Sequence, residues 1–125
     1  MSAVDNADKG QGTSTSWDEL PAVVTTYLVA NRDRTAGAAI GTFAQDAVVV
    51  DEGHTYRGHE EIRTWLGRAA GEYTYTTEFT GASRTGEASF DVLQRLEGDF
   101  PGGVADLHFR FTLDGTSISR LVIEP

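Results

Sequence analysis

The chain contains no cysteine. That absence excludes disulfides, thiol nucleophiles and thiolate metal sites, and it suits a reducing compartment. Positive charge is also scarce: 10 Lys and Arg stand against 19 Asp and Glu, giving a formal net charge of −9. Such a chain repels phosphate backbones, and its basic residues form no run, so nucleic acid is not an expected partner. The acidity reads instead as solubility. No apolar run approaches the ~20 residues that a membrane helix requires, so no membrane partner is expected. The first ten residues lack the basic-then-apolar order of a secretion signal, which makes a cytoplasmic location the expectation.

Several chemical signatures are missing as well. No His-x-x-x-His or His-Glu-x-x-His spacing occurs. His54, His59, Glu60 and Glu61 are close in sequence, but His54 falls on a strand pattern and His59 opens a helix pattern, so neither a metal nor another cofactor is expected. No Gly-x-Ser-x-Gly elbow offers a serine nucleophile. Phe100-Pro101-Gly102-Gly103 joins two strands and does not open a helix, which removes a phosphate cradle and leaves a hairpin loop near a pocket mouth.

What remains is 125 residues, enough for one domain with one core. At this size roughly two-thirds of the unfolded surface is buried on folding, so no staple is needed. Residues 1–16 are rich in Ser, Thr, Gly and Asp and read as a disordered tail, with a single domain over 17–125. Ser16 and Glu19 have capping-box spacing, while Pro21 suits a first helical position, so two helix starts are open. Val24, Tyr27, Leu28 and Asn31 share one helical face. Asp33 can cap a second helix with Ala36, Ala39, Ile40 and Phe43 as its buried stripe. Helices are predicted over 20–31, 34–44 and 59–70, the last carrying Ile62, Trp65, Leu66 and Ala69 inward.

The period changes to two at Ala47, where Ala47–Asp51 and His54–Arg57 read as a hairpin around Glu52-Gly53. After Gly71 the alternation is sustained. It runs through Tyr73, Tyr75, Thr77 and Phe79, then Phe90, Val92, Gln94 and Leu96, then Leu107, Phe109 and Phe111, and closes on Ile118, Leu121 and Ile123. Helices first and alternating strands afterwards predict an α+β fold: three N-terminal helices against a strongly curved antiparallel sheet that encloses a pocket.

Residues 43–51, Phe-Ala-Gln-Asp-Ala-Val-Val-Val-Asp, followed by residues 56–65, Tyr-Arg-Gly-His-Glu-Glu-Ile-Arg-Thr-Trp, resemble the nuclear transport factor 2-like superfamily and its SnoaL-like branch. Ketosteroid isomerase belongs to the same superfamily. The resemblance runs from about Tyr27 to Ile123 and implies a cone-shaped, cystatin-like roll. It hosts cyclases, isomerases, dehydratases, epoxide hydrolases and binding proteins, so fold alone does not choose among them. Carried over by position, the isomerase's general base matches Asp51, its oxyanion tyrosine Tyr27 and a pocket aromatic Trp65. Its second oxyanion donor, a protonated aspartate, falls on Leu107, which is a departure. Relatives of this fold also pair through the outer sheet face, here carrying Asp91, Leu93, Arg95, His108 and Arg110, which implies a homodimer.

The residues support a site independently. A turn over Asp51–His54 places the two side chains opposite one another, with Cβ atoms ~5 Å apart. Apolar surroundings raise a carboxyl pKa and an imidazolium lowers it, so the pair can be tuned for proton transfer. The same residues have a plainer reading, in which Asp51 bonds the turn backbone and Tyr27 is a core tyrosine. The expected catalytic set is therefore Asp51, His54 and Tyr27. The expected wall for a small apolar ligand is Val49, Tyr56, Trp65, Phe90, Val92, Gln94, Leu107 and Phe109. Proton abstraction from an apolar carbonyl compound is the first function, and a non-catalytic binding or dimeric accessory domain is the alternative.

Overall fold

The computed structural model describes residues 13–72 and 74–125, the side chains of 69–72 excepted. Tyr73, the side chain of Ala69 and the first twelve residues of the predicted tail lie outside the described residues. At the end of that tail, Thr13–Ser14 form a short edge strand, β1. It pairs with a later strand at Thr13↔Arg84 and Ser14↔Ser83. A 3-10 turn over Trp17–Glu19 follows. Its Glu19 carboxylate accepts the Ser16 N–H at 2.9 Å, and that bond holds the carboxyl below its ordinary pKa. Trp17 meets Phe79 edge-on, tying this turn to the sheet.

The first helix, α1, spans Ala22–Arg32, with Pro21 just outside it rather than in its first turn. Val24, Tyr27 and Leu28 are buried as their spacing requires, while Asn31 is half-buried. The second helix is shorter than predicted: α2 is Ala36–Ile40, preceded by Thr35 and not by Asp33. Phe43, read as helical, instead opens the strand β2, Phe43–Asp51. The cause is a bulge between Phe43 and Val48, which sets Phe43 and Ala47 both inward at a spacing of four, as a helix would.

The hairpin partner β3 is His54–Arg57, with the predicted register Val49↔Tyr56 and Asp51↔His54. Glu52 and Gly53 both adopt positive φ, 54° and 79°. Two successive left-handed residues twist a two-residue turn to match its strands. The third helix, α3, Gly58–Glu72, thus follows a hairpin rather than the other two helices directly. Its start is tied by the Glu61 carboxylate, which accepts the Arg57 N–H at 2.8 Å. Ile62, Trp65 and Leu66 are its buried face.

The remaining strands are β4 (Tyr75–Gly86), β5 (Ser89–Gly98), β6 (Val104–Asp114) and β7 (Ser117–Glu124). The seven strands form one unclosed sheet in the order β1-β4-β5-β6-β7-β2-β3. Every neighbouring pair is antiparallel except β2 and β7, which run parallel, a correction to the all-antiparallel expectation. Alternation reports which face a residue takes but not the direction of its neighbour. β7 returns to the sheet long after β2, so either direction was open to it. The result is an α+β fold with the core between the helices and one sheet face. Among the described residues, no helix is long and apolar enough to cross a membrane.

Candidate active site

Three cross-sheet rows build the inner face. Phe90, Phe111, Leu121, Val49 and Tyr56 align across β5, β6, β7, β2 and β3. Val92, Phe109, Ile123, Asp51 and His54 form the next row. Gln94 and Leu107 follow, two residues or about 7 Å further along the strands. The walls are almost wholly apolar, and Asp51 stands at their edge, half-buried.

Trp65, 4% exposed, donates its indole N–H to Asp51 Oδ2 at 3.0 Å. This bond runs from the buried face of α3 to the last residue of β2. Tyr56 lies tilted against the same indole, 6.1 Å between ring centroids, and its hydroxyl accepts from Arg68 Nη2 at 3.1 Å. His54 stands opposite Asp51 in register but is exposed, so its ring sits at the rim. His59 lies beneath β2, with Nε2 2.8 Å from the Phe43 carbonyl, to which it donates.

Tyr27 is fully buried. Its ring packs edge-on against Phe43 and Phe111, at 5.6 and 5.7 Å. Burial first, then the charges of Asp51 and Tyr75, hold its hydroxyl well above the ordinary tyrosine pKa. The ring therefore rests on the Phe111 row. Among the described residues, two buried side-chain polar atoms lack a hydrogen-bond partner: Tyr27 Oη and Gln94 Nε2. Gln94 is 4% exposed. Buried polar groups are nearly always satisfied, so two unmet donors on one inner surface require explanation.

The remaining wall residues are placed as their alternation requires. Val49, Val92, Phe90 and Phe109 are buried, and Leu107 is half-buried against the core. They pack against one another in one buried cluster. A space of about 10 Å³ is lined by residues that include Asn31, Arg34, Leu66 and Tyr75. There Arg34, itself at φ 61°, sets its guanidinium 4.9 Å from the Tyr75 ring and donates to the Tyr75 carbonyl at 3.0 Å. Phe100, from the loop read as a mouth, meets Tyr75 edge-on at 6.3 Å. A Cβ at Gly98 would collide with the Thr74 carbonyl, so the same corner demands glycine. A wider, solvent-open hollow of about 670 Å³ lies between β1, Arg84 and the β6–β7 turn and reaches Phe90 of the inner face.

The Trp65–Asp51 bond and the Arg34–Tyr75 contact were not read from the sequence. Helical spacing had placed Trp65 inward, but nothing in the sequence chose it over His54 as the partner of Asp51. Tyr75 was visible only as one member of an alternating strand.

The described geometry is that of a helix-covered, curved, unclosed sheet with a tyrosine and an aspartate on its inner face. Among solved structures, a provisionally assigned polyketide cyclase from Sinorhizobium meliloti is 32% identical, with a TM-score of 0.82 over 88% of this chain and 100% of that one. A ketosteroid isomerase-like protein from Catenulispora acidiphila, solved with trimethylamine, is 21% identical (TM-score 0.74; 84% and 85% of the two chains). The Δ5-3-ketosteroid isomerase of a Mycobacterium species is 15% identical (TM-score 0.68; 83% and 90%). No protein-family model and no curated protein sequence matches the chain. The chain belongs to the SnoaL-like branch of the nuclear transport factor 2-like superfamily.

Proposed function

We propose that the protein binds a small, flat, mostly apolar carbonyl compound and moves a proton on it. The supporting observations are a half-buried Asp51 on the inner face of the sheet and a fully buried Tyr27 whose hydroxyl has no hydrogen-bond partner among the described residues. In this reading the Asp51 carboxylate takes a proton from the carbon next to the carbonyl. The electron pair of that C–H bond moves into an enolate, and Tyr27 O–H donates to its oxygen. Asp51 then returns the proton to the same or another carbon. Isomerisation, cyclisation and dehydration can all begin this way, and the similarity to an assigned cyclase supports the class without choosing a member.

Trp65 orients the base by its bond to Asp51 Oδ2. His54, at the rim, modulates Asp51 and passes protons to solvent. Val49, Tyr56, Trp65, Phe90, Val92, Leu107 and Phe109 supply the apolar wall. The test is release of deuterium from α-deuterated 2-tetralone, a flat ketone with an acidic C–H. Release well above that given by acetate at equal carboxylate concentration supports the reading; a rate equal to acetate rejects it.

Non-catalytic binding by the same pocket is the second reading. It is favoured by the close packing of the wall and by Leu107 at the position of the second oxyanion donor.

Two copies of the chain are further proposed to pair through the outer face of β5 and β6. Two cross-strand ion pairs compensate its charges, Arg95 with Asp106 at 3.0 Å and Arg110 with Glu124 at 3.2 Å, and His108 Nδ1 hydrogen-bonds Asp91 at 3.0 Å. Among them Leu93 is a large apolar side chain left 36% exposed. Internally neutralised charge around an apolar centre suits a self-complementary two-fold contact.

A further inference from the structure

We propose that Gln94 is the second hydrogen-bond donor to the substrate oxygen, taking over the role that Leu107 cannot fill. The inference rests on the reading of Tyr27 and Asp51 given above and adds a residue and a preference to it. Gln94 stands directly across the β5–β6 pair from Leu107. The donor missing from one strand is therefore present on the next, in the same cross-sheet row. Its amide Nε2 is buried and unpartnered, as is the Tyr27 hydroxyl.

Position links the two donors. The Tyr27 ring rests on Phe111, in the row of Phe90. Asp51 lies in the row of Val92, and Tyr75 pairs with Gly98. Along β5 the order is Phe90, Val92, Gln94, so Gln94 stands on the same inner face as the Phe90–Phe111 row on which the Tyr27 ring rests. Phe79 flanks it on β4 and Leu107 on β6, neither of which offers a side-chain acceptor. A Tyr O–H and an amide N–H both donate at neutral pH. Two unmet donors select a ligand atom that accepts twice, as a carbonyl or enolate oxygen does.

The chemical consequence is specific. A protonated acid in this role would donate only below its pKa, whereas an amide donates at every pH the protein survives. The oxygen site should therefore prefer an anionic, doubly hydrogen-bonded oxygen on a flat ring without needing an acid of its own. Gln94 would touch the substrate oxygen and move no proton.

The probe is 4-nitrophenolate, a flat anion whose absorbance reports its ionisation when bound. Wild-type protein is expected to bind it as the anion. Gln94→Met removes the donor at similar length and should weaken binding roughly tenfold or more, by the loss of one oxyanion-hole donor. It should also raise the melting temperature, because an unmet buried donor has gone. Gln94→Glu should repel the anion at neutral pH and regain binding as the new carboxyl is protonated at lower pH. That rescue is absent from wild type and cannot come from a packing role. Unchanged affinity in both variants, with Tyr27→Phe still weakening the probe, overturns the role of Gln94 and leaves the Tyr27–Asp51 site standing. If wild-type protein does not bind the anion, or Tyr27→Phe binds it equally well, the underlying reading fails with it.

Discussion

Trp65 and Asp51 are joined by a hydrogen bond of 3.0 Å from the indole N–H to a carboxylate oxygen, and the bond couples the third helix to the end of the first hairpin. It fixes the carboxylate on the inner side of the sheet edge, while the histidine across the turn remains at the surface.

Replacing Trp65 by Phe keeps an aromatic wall and removes the donor. A bond from a neutral donor to a charged acceptor contributes about 1.5–3 kcal/mol, so urea denaturation should show a loss of that order. Any stability change caused by Asp51→Asn should then be smaller in the Trp65→Phe background than in wild type, since the two residues share one interaction.

The tyrosines predict an alkaline weakness. Burial raises the pKa of Tyr27, and of Tyr75 to a lesser extent, above the ordinary value of 10.0. A raised pKa means that the folded state holds its protons after the unfolded state has begun to lose them. Stability is thus intact below pH 10.0 and falls as pH rises above it. Melting curves between neutral pH and strongly alkaline pH should show that fall, and Tyr27→Phe should make it shallower. At neutral pH the same substitution should leave the melting temperature unchanged or raised, because the hydroxyl it deletes has no partner.

Much of this was legible in the chain itself, and the parts that were not have identifiable causes. The hairpin register that sets Asp51 opposite His54 followed from turn chemistry, because Glu52-Gly53 leaves a two-residue loop. The inward placement of Val92, Gln94 and Phe109 followed from strict alternation. The start of β2 did not follow, because the bulge after Phe43 copies a helical spacing. Nor did the parallel β2–β7 pair, a contact between segments some seventy residues apart that no local pattern encodes. The unmet donors on Tyr27 and Gln94 depend on what surrounds each tip, and spacing along the chain carries no such information.

The outer sheet face gives a third prediction. Light scattering at micromolar concentration should give twice the 13.5 kDa of one chain. Leu93→Asp places a charge at the centre of the proposed contact and should shift the protein to the single-chain mass without loss of secondary structure by circular dichroism. A wild-type mass of one chain refutes the dimer.

The most direct measurement of the central claim compares wild-type protein with Asp51→Asn in two assays run together: deuterium release from α-deuterated 2-tetralone, and a thermal melt. Asparagine keeps the shape and still offers an oxygen to the Trp65 N–H, but it cannot take a proton. If Asp51 is the base, release falls by about 10²–10⁴-fold, with a melting temperature within about 3 °C of wild type or above it. The contradictory result is a large drop in melting temperature with ketone binding intact and deuterium release unchanged. Asp51 would then be a structural residue of the hairpin, and the protein a binder.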